Sequence, residues 1–143
     1  MKAGEFMEHA RVFDHFYGSN RNSVDRQLRS GLDVILEIDW QGARQVRAAF
    51  EDCCLIFIIP PSLDTLRTRL TGRGQDSDKV IQRRMRDAQA EISHWAEFDQ
   101  LVVNDDFDTA LEELIAIIND HREQRPHRVN KDYQILAQQL GKR

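Results

Sequence analysis

Helical and strand patterns alternate along this chain from about Ser19 onward, and this alternation restricts the possible folds more than any other sequence feature. The apolar run Leu55-Ile56-Phe57-Ile58-Ile59 is typical of a strand covered on both faces of a parallel sheet. Between such runs, apolar residues recur at helical spacing. Strands that alternate with helices form a sheet with helices packed on it, so the sequence predicts an α/β protein.

Glycine, proline and small polar residues mark the ends of the predicted elements. Gly31 follows the first helix, Pro60-Pro61 ends a strand because proline donates no amide, and Ser62 can cap the next helix. Residues 75–91, beyond the glycines of 72–74, form a charged helical segment that we call the lid candidate. The first predicted elements are a helix from Ser19 or Asn20 to Ser30 with Val24, Leu28 and Leu32 on one side, a strand at 33–39, a helix at 42–50 and a strand at 55–59. A helix bearing Leu63, Leu66 and Leu70 follows, and then the lid candidate and a strand at 101–104. The last two elements are a helix capped by Asp105 or Asp106, with Ala110, Leu111, Leu114, Ile117 and Ile118 on its inner face, and a helix with Val129, Tyr133, Leu136 and Leu140.

Composition excludes several classes of protein. The net charge of -4 arises from 24 acidic and 20 basic residues spread along the chain, so no global basic field attracts nucleic acid. The longest apolar runs fall far short of the ~20 residues that cross a bilayer, and a cytoplasmic protein without membrane contact is expected. Cys53 and Cys54 are adjacent and are expected to be reduced, and the five histidines lack metal-ligand spacing.

A phosphate-binding loop is absent from the sequence. Neither G-x-x-x-x-G-K-[ST] nor G-x-G-x-x-G occurs, although an α/β sheet usually holds phosphate where a strand turns into a helix. Residues 6–17 carry several apolar side chains that need a partner surface. We therefore expect that the chain lacks the start of its fold and that this exposed N-terminal surface promotes self-association.

Three arginines are candidates for phosphate binding. Arg69 and Arg73 lie four residues apart at the end of a predicted helix, and Arg84 lies on the lid candidate beyond the glycines. Guanidinium groups stay charged and donate in a planar fork, which suits a migrating phosphoryl group. Spacing alone favours the alternative, which is a solvated basic face.

Two further groups of polar residues allow either a site or an ordinary structural role. Asp39, at the carboxyl end of the strand predicted at 33–39, could meet a nucleotide or magnesium-bound water, or could cap the helix near Gly42. Glu8, Tyr17 and Ser19 could read a purine edge and a phosphate, or could be common loop residues. The residues themselves leave these alternatives open.

Six short motifs follow one another along the chain. They are Phe6-Met7-Glu8-His9-Ala10, Tyr17-Gly18-Ser19, Glu37-Ile38-Asp39-Trp40-Gln41-Gly42, Ile59-Pro60-Pro61-Ser62, Arg69-Leu70-Thr71-Gly72-Arg73-Gly74 and Val103-Asn104-Asp105-Asp106. In this order they resemble the motifs of bacterial guanylate kinases. The resemblance runs from about Phe6 to about Glu123 and rests on the order of the motifs as well as on each one.

The resemblance implies phosphoryl transfer from ATP to GMP with Mg²⁺. It implies a P-loop kinase-like parallel sheet with flanking helices and a helical lid, here without the first strand and phosphate loop. By motif position, the implied roles are GMP binding for Glu8, Tyr17, Ser19 and Asp39, catalysis for Arg69, Arg73 and Arg84, ATP binding for Arg69, Arg73 and Asn104, and no direct metal ligand.

The same resemblance implies how the chain is divided. Residues 1–20 would be a remnant of the GMP-binding domain, 21–62 the first part of the core, 63–95 a core helix running into the lid, and 96–143 the C-terminal part of the core. Because the phosphate loop is missing, the chain alone is expected to be inactive or nearly so. The alternative function is a catalytically dead guanylate kinase-like module that binds peptides, which the three arginines argue against.

Overall fold

The computed structural model describes residues 19–72 and 77–141 of the chain. These residues fall into two compact units that divide between Cys53 and Cys54. Each unit has its own apolar cluster of buried side chains, and each is described by itself below. Within the described residues, no helix is long and apolar enough to cross a membrane.

The first unit contains two helices, α1 (Ser19–Arg29) and α2 (Trp40–Ala49). Gly31 ends α1 as predicted, since its φ of +89° lies in the left-handed region that glycine adopts without strain. Val24 of α1 and Val46 of α2 are the buried centre of this unit. The partly buried side chains packed around them are Val34, Leu36, Ile38, Phe50 and Cys53.

The prediction of a strand at 33–39 was wrong in one respect. The segment joins α1 to α2, and no residue in the described ranges pairs with it in a sheet. Its side chains alternate strictly, with Val34, Leu36 and Ile38 half-buried and the residues between them exposed. Apolar composition predicted a strand buried on both faces, but only one face of this segment is covered, by α1 and α2.

The second unit is built on a parallel pair of strands, β1 (Ile56–Ile59) and β2 (Gln100–Val103). Ile56 pairs with Gln100, and Ile59 pairs with Val103. The register is fixed at the start of the ladder, where a carboxylate oxygen of Asp99 accepts a hydrogen bond from the Leu55 amide at 2.8 Å. Both strands lie where the apolar runs predicted them.

Helices cover both faces of this sheet. Phe57 and Leu101 face a cluster that contains Ile92, Ala137 and Leu140. Val102, on the opposite face, packs with Ala110 and Ile117. The helices of this unit are α3 (Leu63–Thr71), α4 (Asp78–Ile92), α5 (Phe107–Arg122) and α6 (Lys131–Leu140), with a short 3-10 turn at Trp95–Glu97.

The predicted helices are confirmed, but some predicted inward faces are not. Leu28 and Leu32 are exposed in the described part of the first unit, and Leu111 of α5 is also exposed. The lid candidate corresponds to α4, in which Ile81 and Met85 are buried although many of the neighbouring residues are charged. A helix with four charged residues in six positions can therefore still have one apolar face.

Candidate functional site

The carboxyl ends of β1 and β2 form the edge of the sheet where α/β proteins hold ligands. Asn104 follows β2 directly, is half-buried, and its amide donates to the Ile59 carbonyl oxygen at 2.8 Å. This bond extends the ladder by one step and fixes Asn104 beside the end of β1. The structure thus places the predicted ATP-binding residue at the ligand-binding edge of the sheet.

Polar caps hold the helices that leave this edge. The Ser62 hydroxyl accepts from the Thr65 amide at 3.0 Å and begins α3, as predicted. Asp106 begins α5 by accepting from both the amide and the hydroxyl of Thr109, at 3.0 and 2.7 Å. These hydrogen bonds from Thr109 lower the pKa of Asp106, the hydroxyl having the larger effect. Asp106 therefore remains an anion at neutral pH.

Arg69 lies in the last turn of α3 and is exposed. It stands about 10 Å along the helix from the Ser62 cap, given the rise of about 1.5 Å per residue. A cation in a last turn complements the partial negative charge of a helix C-terminus. The helix therefore carries Arg69 away from the sheet edge, toward the segment that leads to α4.

Arg84 lies in α4, at the border of the apolar face formed by Ile81 and Met85, and is exposed. The Ser77 hydroxyl caps this helix by accepting from the Val80 amide at 3.3 Å. Helices α3 and α4 contact each other, so both predicted arginines belong to one packed pair of helices.

Asp39 caps α2 in the first unit. The Asp39 Oδ1 accepts a hydrogen bond from the Gly42 amide at 2.8 Å, and Asp39 is exposed. The structural alternative left open by the sequence is therefore realised. A carboxylate has a second oxygen with its own lone pairs, and the cap occupies Oδ1. The cap and a ligand contact are compatible at this side chain.

Sequence reasoning missed a cation–π contact in α2. The Arg44 guanidinium carbon lies 4.6 Å from the centre of the Trp40 ring, in the first turns of α2. The spacing of four residues on a helix is the signal that could have revealed this pair. The contact holds the Arg44 guanidinium over the ring of the first residue of α2.

A groove of about 470 Å³ between α3 and α4 contains neither Arg69 nor Arg84. It is lined by Leu63, Asp64, Arg67, Gln82, Met85, Arg86 and Gln89. Within residues 19–72 and 77–141, no group of three or more histidine, cysteine or acidic side chains could hold a metal ion.

Several predicted site residues lie outside the described part. These are Glu8, Tyr17, Arg73 and the side chain of Ser19. The N-terminal surface for which self-association was expected also lies there. Their roles remain predictions from motif position.

Comparison with known proteins decides the family. A match to the guanylate kinase family covers residues 1–121. The chain belongs to the guanylate kinase family. It is 49% identical over 142 residues to the guanylate kinase of Chromohalobacter salexigens, covering 99% of this chain and 66% of that protein. It is 53% identical over 137 residues to that of Alkalilimnicola ehrlichii, covering 96% and 66%. A third relative, from Nitrosococcus oceani, is 59% identical over 119 residues, covering 83% and 59%.

Membership in the guanylate kinase family confirms the predicted P-loop kinase fold class and the kinase activity of the family. The chain spans just under two thirds of the length of the guanylate kinases from Chromohalobacter and Alkalilimnicola. The similarity to these proteins continues past residue 121, where the family match ends, and includes nearly the whole chain. The alignment with the Chromohalobacter protein therefore includes the residues of α6.

Proposed function

We propose that this guanylate kinase chain serves the transfer of the terminal phosphoryl group of ATP to GMP, giving ADP and GDP. The observation that carries the proposal is the family match over residues 1–121, which includes every predicted site residue. Arg69 and Arg84 support it because they lie on consecutive helices that contact each other. Phosphoryl transfer requires little more than positioning and fixed positive charge, which such helices can supply.

In this proposal the arginines surround the migrating phosphoryl group. Arg69 extends from the end of α3, Arg84 from α4, and Arg73 lies in the segment between these helices. Movement of α4 relative to α3 would bring the guanidinium groups together, as closing lids do in other kinases. Their charge would stabilise the equatorial oxygens in the transition state.

Two groups of residues are proposed to bind the substrates. Glu8, Tyr17, Ser19 and Asp39 are proposed to bind GMP, and Asn104 to contribute to the ATP site at the sheet edge. Mg²⁺, when bound with ATP, would neutralise phosphate charge. The described residues suit a metal held mainly by phosphates and water, because Asp39 offers one further carboxylate oxygen and no cluster of carboxylates surrounds it.

A direct assay tests the proposal. The purified chain, with its mass verified, is mixed with ATP, GMP and Mg²⁺, alone and together with the portion of the Chromohalobacter protein that has no counterpart in this chain. Because the sequence has no phosphate loop, we expect turnover by the chain alone to lie far below the kinase range of about 1 to 100 per second. We expect the added portion to raise it. Failure of both mixtures to form GDP would contradict the proposal, and tighter binding of phosphopeptides than of GMP would favour the peptide-binding alternative.

Arg84→Ala tests the central arginine, and Arg83→Ala is its matched control. Both residues are exposed neighbours on α4, but the family resemblance implies a phosphate-binding role for Arg84 and not for Arg83. Loss of an arginine that contacts the transferring phosphoryl group lowers turnover by about 10³-fold or more. We expect that loss in the complemented reaction for Arg84→Ala and little change for Arg83→Ala. Equal turnover of the two variants would remove the assignment.

A further inference from the structure

The C-terminal helix α6 is built into the core of the second unit. Ala137 is 0% exposed, and Leu140 is 4% exposed. Both pack with Ile92, the last residue of α4, and with Phe57 and Leu101 of the sheet. The end of α6 and the end of α4 therefore share one apolar cluster.

A side-chain hydrogen bond joins the same two helix ends. The Gln89 amide nitrogen, Nε2, on α4 donates to the carbonyl oxygen of Leu140 at 3.2 Å, and Gln89 is half-buried. Carbonyl groups in the last turn of a helix have no acceptor role within that helix. Gln89 thus satisfies a terminal carbonyl of α6 and links α4 to it.

The backbones also approach closely at this point. Gly141 ends α6 with a φ of -78°, which other residues adopt readily. A Cβ atom at Gly141 would lie 3.0 Å from Cα and 3.1 Å from N of Ser93, which follows α4. Because these are backbone atoms, α4 would have to move to accommodate a larger residue.

The opposite end of α6 is fixed to elements other than α4. The Tyr133 hydroxyl donates to Glu113 of α5 at 2.5 Å. Preceding α6, His127 Nδ1 lies 2.6 Å from an Asp120 carboxylate oxygen, and the side-chain amide of Gln100 donates to the His127 carbonyl at 2.9 Å. Helix α6 is therefore held by α5 and β2, and it presents a fixed end to α4.

We propose that α6 positions Arg84 by holding the C-terminal end of α4, with Gln89 as the positioning residue. The inference rests on the proposed function, because it assigns α4 the delivery of Arg84 to phosphate. Arg84 precedes Ile92 by about 12 Å along the helix. A tilt of about 10° at the anchored end would displace Arg84 by about 2 Å, and displacements near 1 Å can cost about 100-fold in rate.

Gln89→Leu tests this role, with Gln138→Leu on the exposed face of α6 as the matched control. Hydrogen exchange is measured by segment in the 143-residue chain. We expect amides 82–88 to exchange about fivefold faster in Gln89→Leu, as the loss of one hydrogen bond predicts, with α3 and α5 unchanged. Unchanged exchange in α4, or equal acceleration in all helices, would overturn the anchor. Gly141→Ala is a second variant that reaches α4 without altering Gln89.

A double-mutant cycle of ATP binding distinguishes the positioning of Arg84 by Gln89 from a general loss of stability. ATP affinity with Mg²⁺ is measured for the unaltered chain, Gln89→Leu, Arg84→Ala and the double variant, each mixed with the portion of the Chromohalobacter protein that has no counterpart in this chain. We expect Gln89→Leu to weaken ATP binding about fivefold when Arg84 is present and to have no further effect when it is absent, because Gln89 would act through Arg84. Independent effects would overturn the positioning role. Failure of the unaltered chain to bind ATP in this mixture would contradict the proposed function, and the exchange measurement would still decide whether α6 anchors α4.

Discussion

Replacing Asp39 by asparagine and, separately, by alanine distinguishes its capping role from its proposed ligand role. The Asp39 Oδ1 accepts from the Gly42 amide at 2.8 Å, and an asparagine oxygen can make the same bond. Asparagine and aspartate are about equally good N-caps, whereas alanine removes the acceptor at a cost of about 1 kcal/mol. Asp39→Asn therefore removes only the negative charge, while Asp39→Ala removes both charge and cap.

The size of each effect can be stated for local hydrogen exchange in α2. A loss of about 1 kcal/mol corresponds to about a fivefold increase in helix opening, since 1.4 kcal/mol is tenfold. We expect that increase for Asp39→Ala in amides 42–46 and almost none for Asp39→Asn. Both variants should weaken binding of GMP by about tenfold or more, as the loss of a charged hydrogen-bond partner does.

Glu37→Gln is the control, because Glu37 is an exposed carboxylate two residues away that caps no helix in the described structure. It should leave both exchange and binding unchanged. Normal GMP binding by Asp39→Asn would show that the carboxylate serves only as a cap. Rapid exchange in Asp39→Asn would show instead that the cap needs the charge, which would refute the equivalence on which the experiment depends.

Two further predictions concern the second unit. The Glu113 hydrogen bond is the main cause that raises the pKa of Tyr133 to about 12 from 10.0, so the neutral phenol is favoured in the folded state. The stabilising effect of this hydrogen bond should be complete below pH 10 and should be lost as the pH rises toward 12. Tyr133→Phe should therefore lower the free energy of unfolding in urea by about 1 kcal/mol at pH 8 but by little at high pH. An equal loss at the two pH values would contradict this. Leu140→Ala should lower the free energy of unfolding of this unit by about 3 kcal/mol because Leu140 is buried, whereas Ile135→Ala should lower it far less because Ile135 is exposed. Similar urea midpoints for the two variants would contradict the role of α6 in the core.

Local signals were sufficient to predict most elements. Ser62 and Asp106 combine short polar side chains with a following apolar period, and both cap their helices as expected. The spacing of Tyr133 and Leu140 predicted the docking helix α6, which the structure places against the sheet. These predictions succeeded because caps and helical periodicity depend on neighbours within about one turn.

Other features depend on residues far apart in the sequence. The segment at 33–39 has the composition of a sheet strand, but ladder membership requires a neighbouring strand, which composition does not specify. The bond between Gln89 and Leu140 joins residues 51 positions apart, so neither residue carries a local signal for it. Asp39 illustrates a third case, because one side chain suits a cap and a ligand equally and sequence cannot separate the roles.

ATP binding by Arg69→Ala, Arg84→Ala and the double variant tests most directly whether guanidinium groups from α3 and α4 act on one phosphate chain. Arg67→Ala and Arg83→Ala are the matched controls, since each is an exposed arginine on the same helix as its counterpart. We expect each site variant to weaken Mg²⁺–ATP binding by about tenfold, with non-additive effects in the double variant because both groups would contact the same phosphates. Affinities equal to those of the controls would contradict the shared phosphate site.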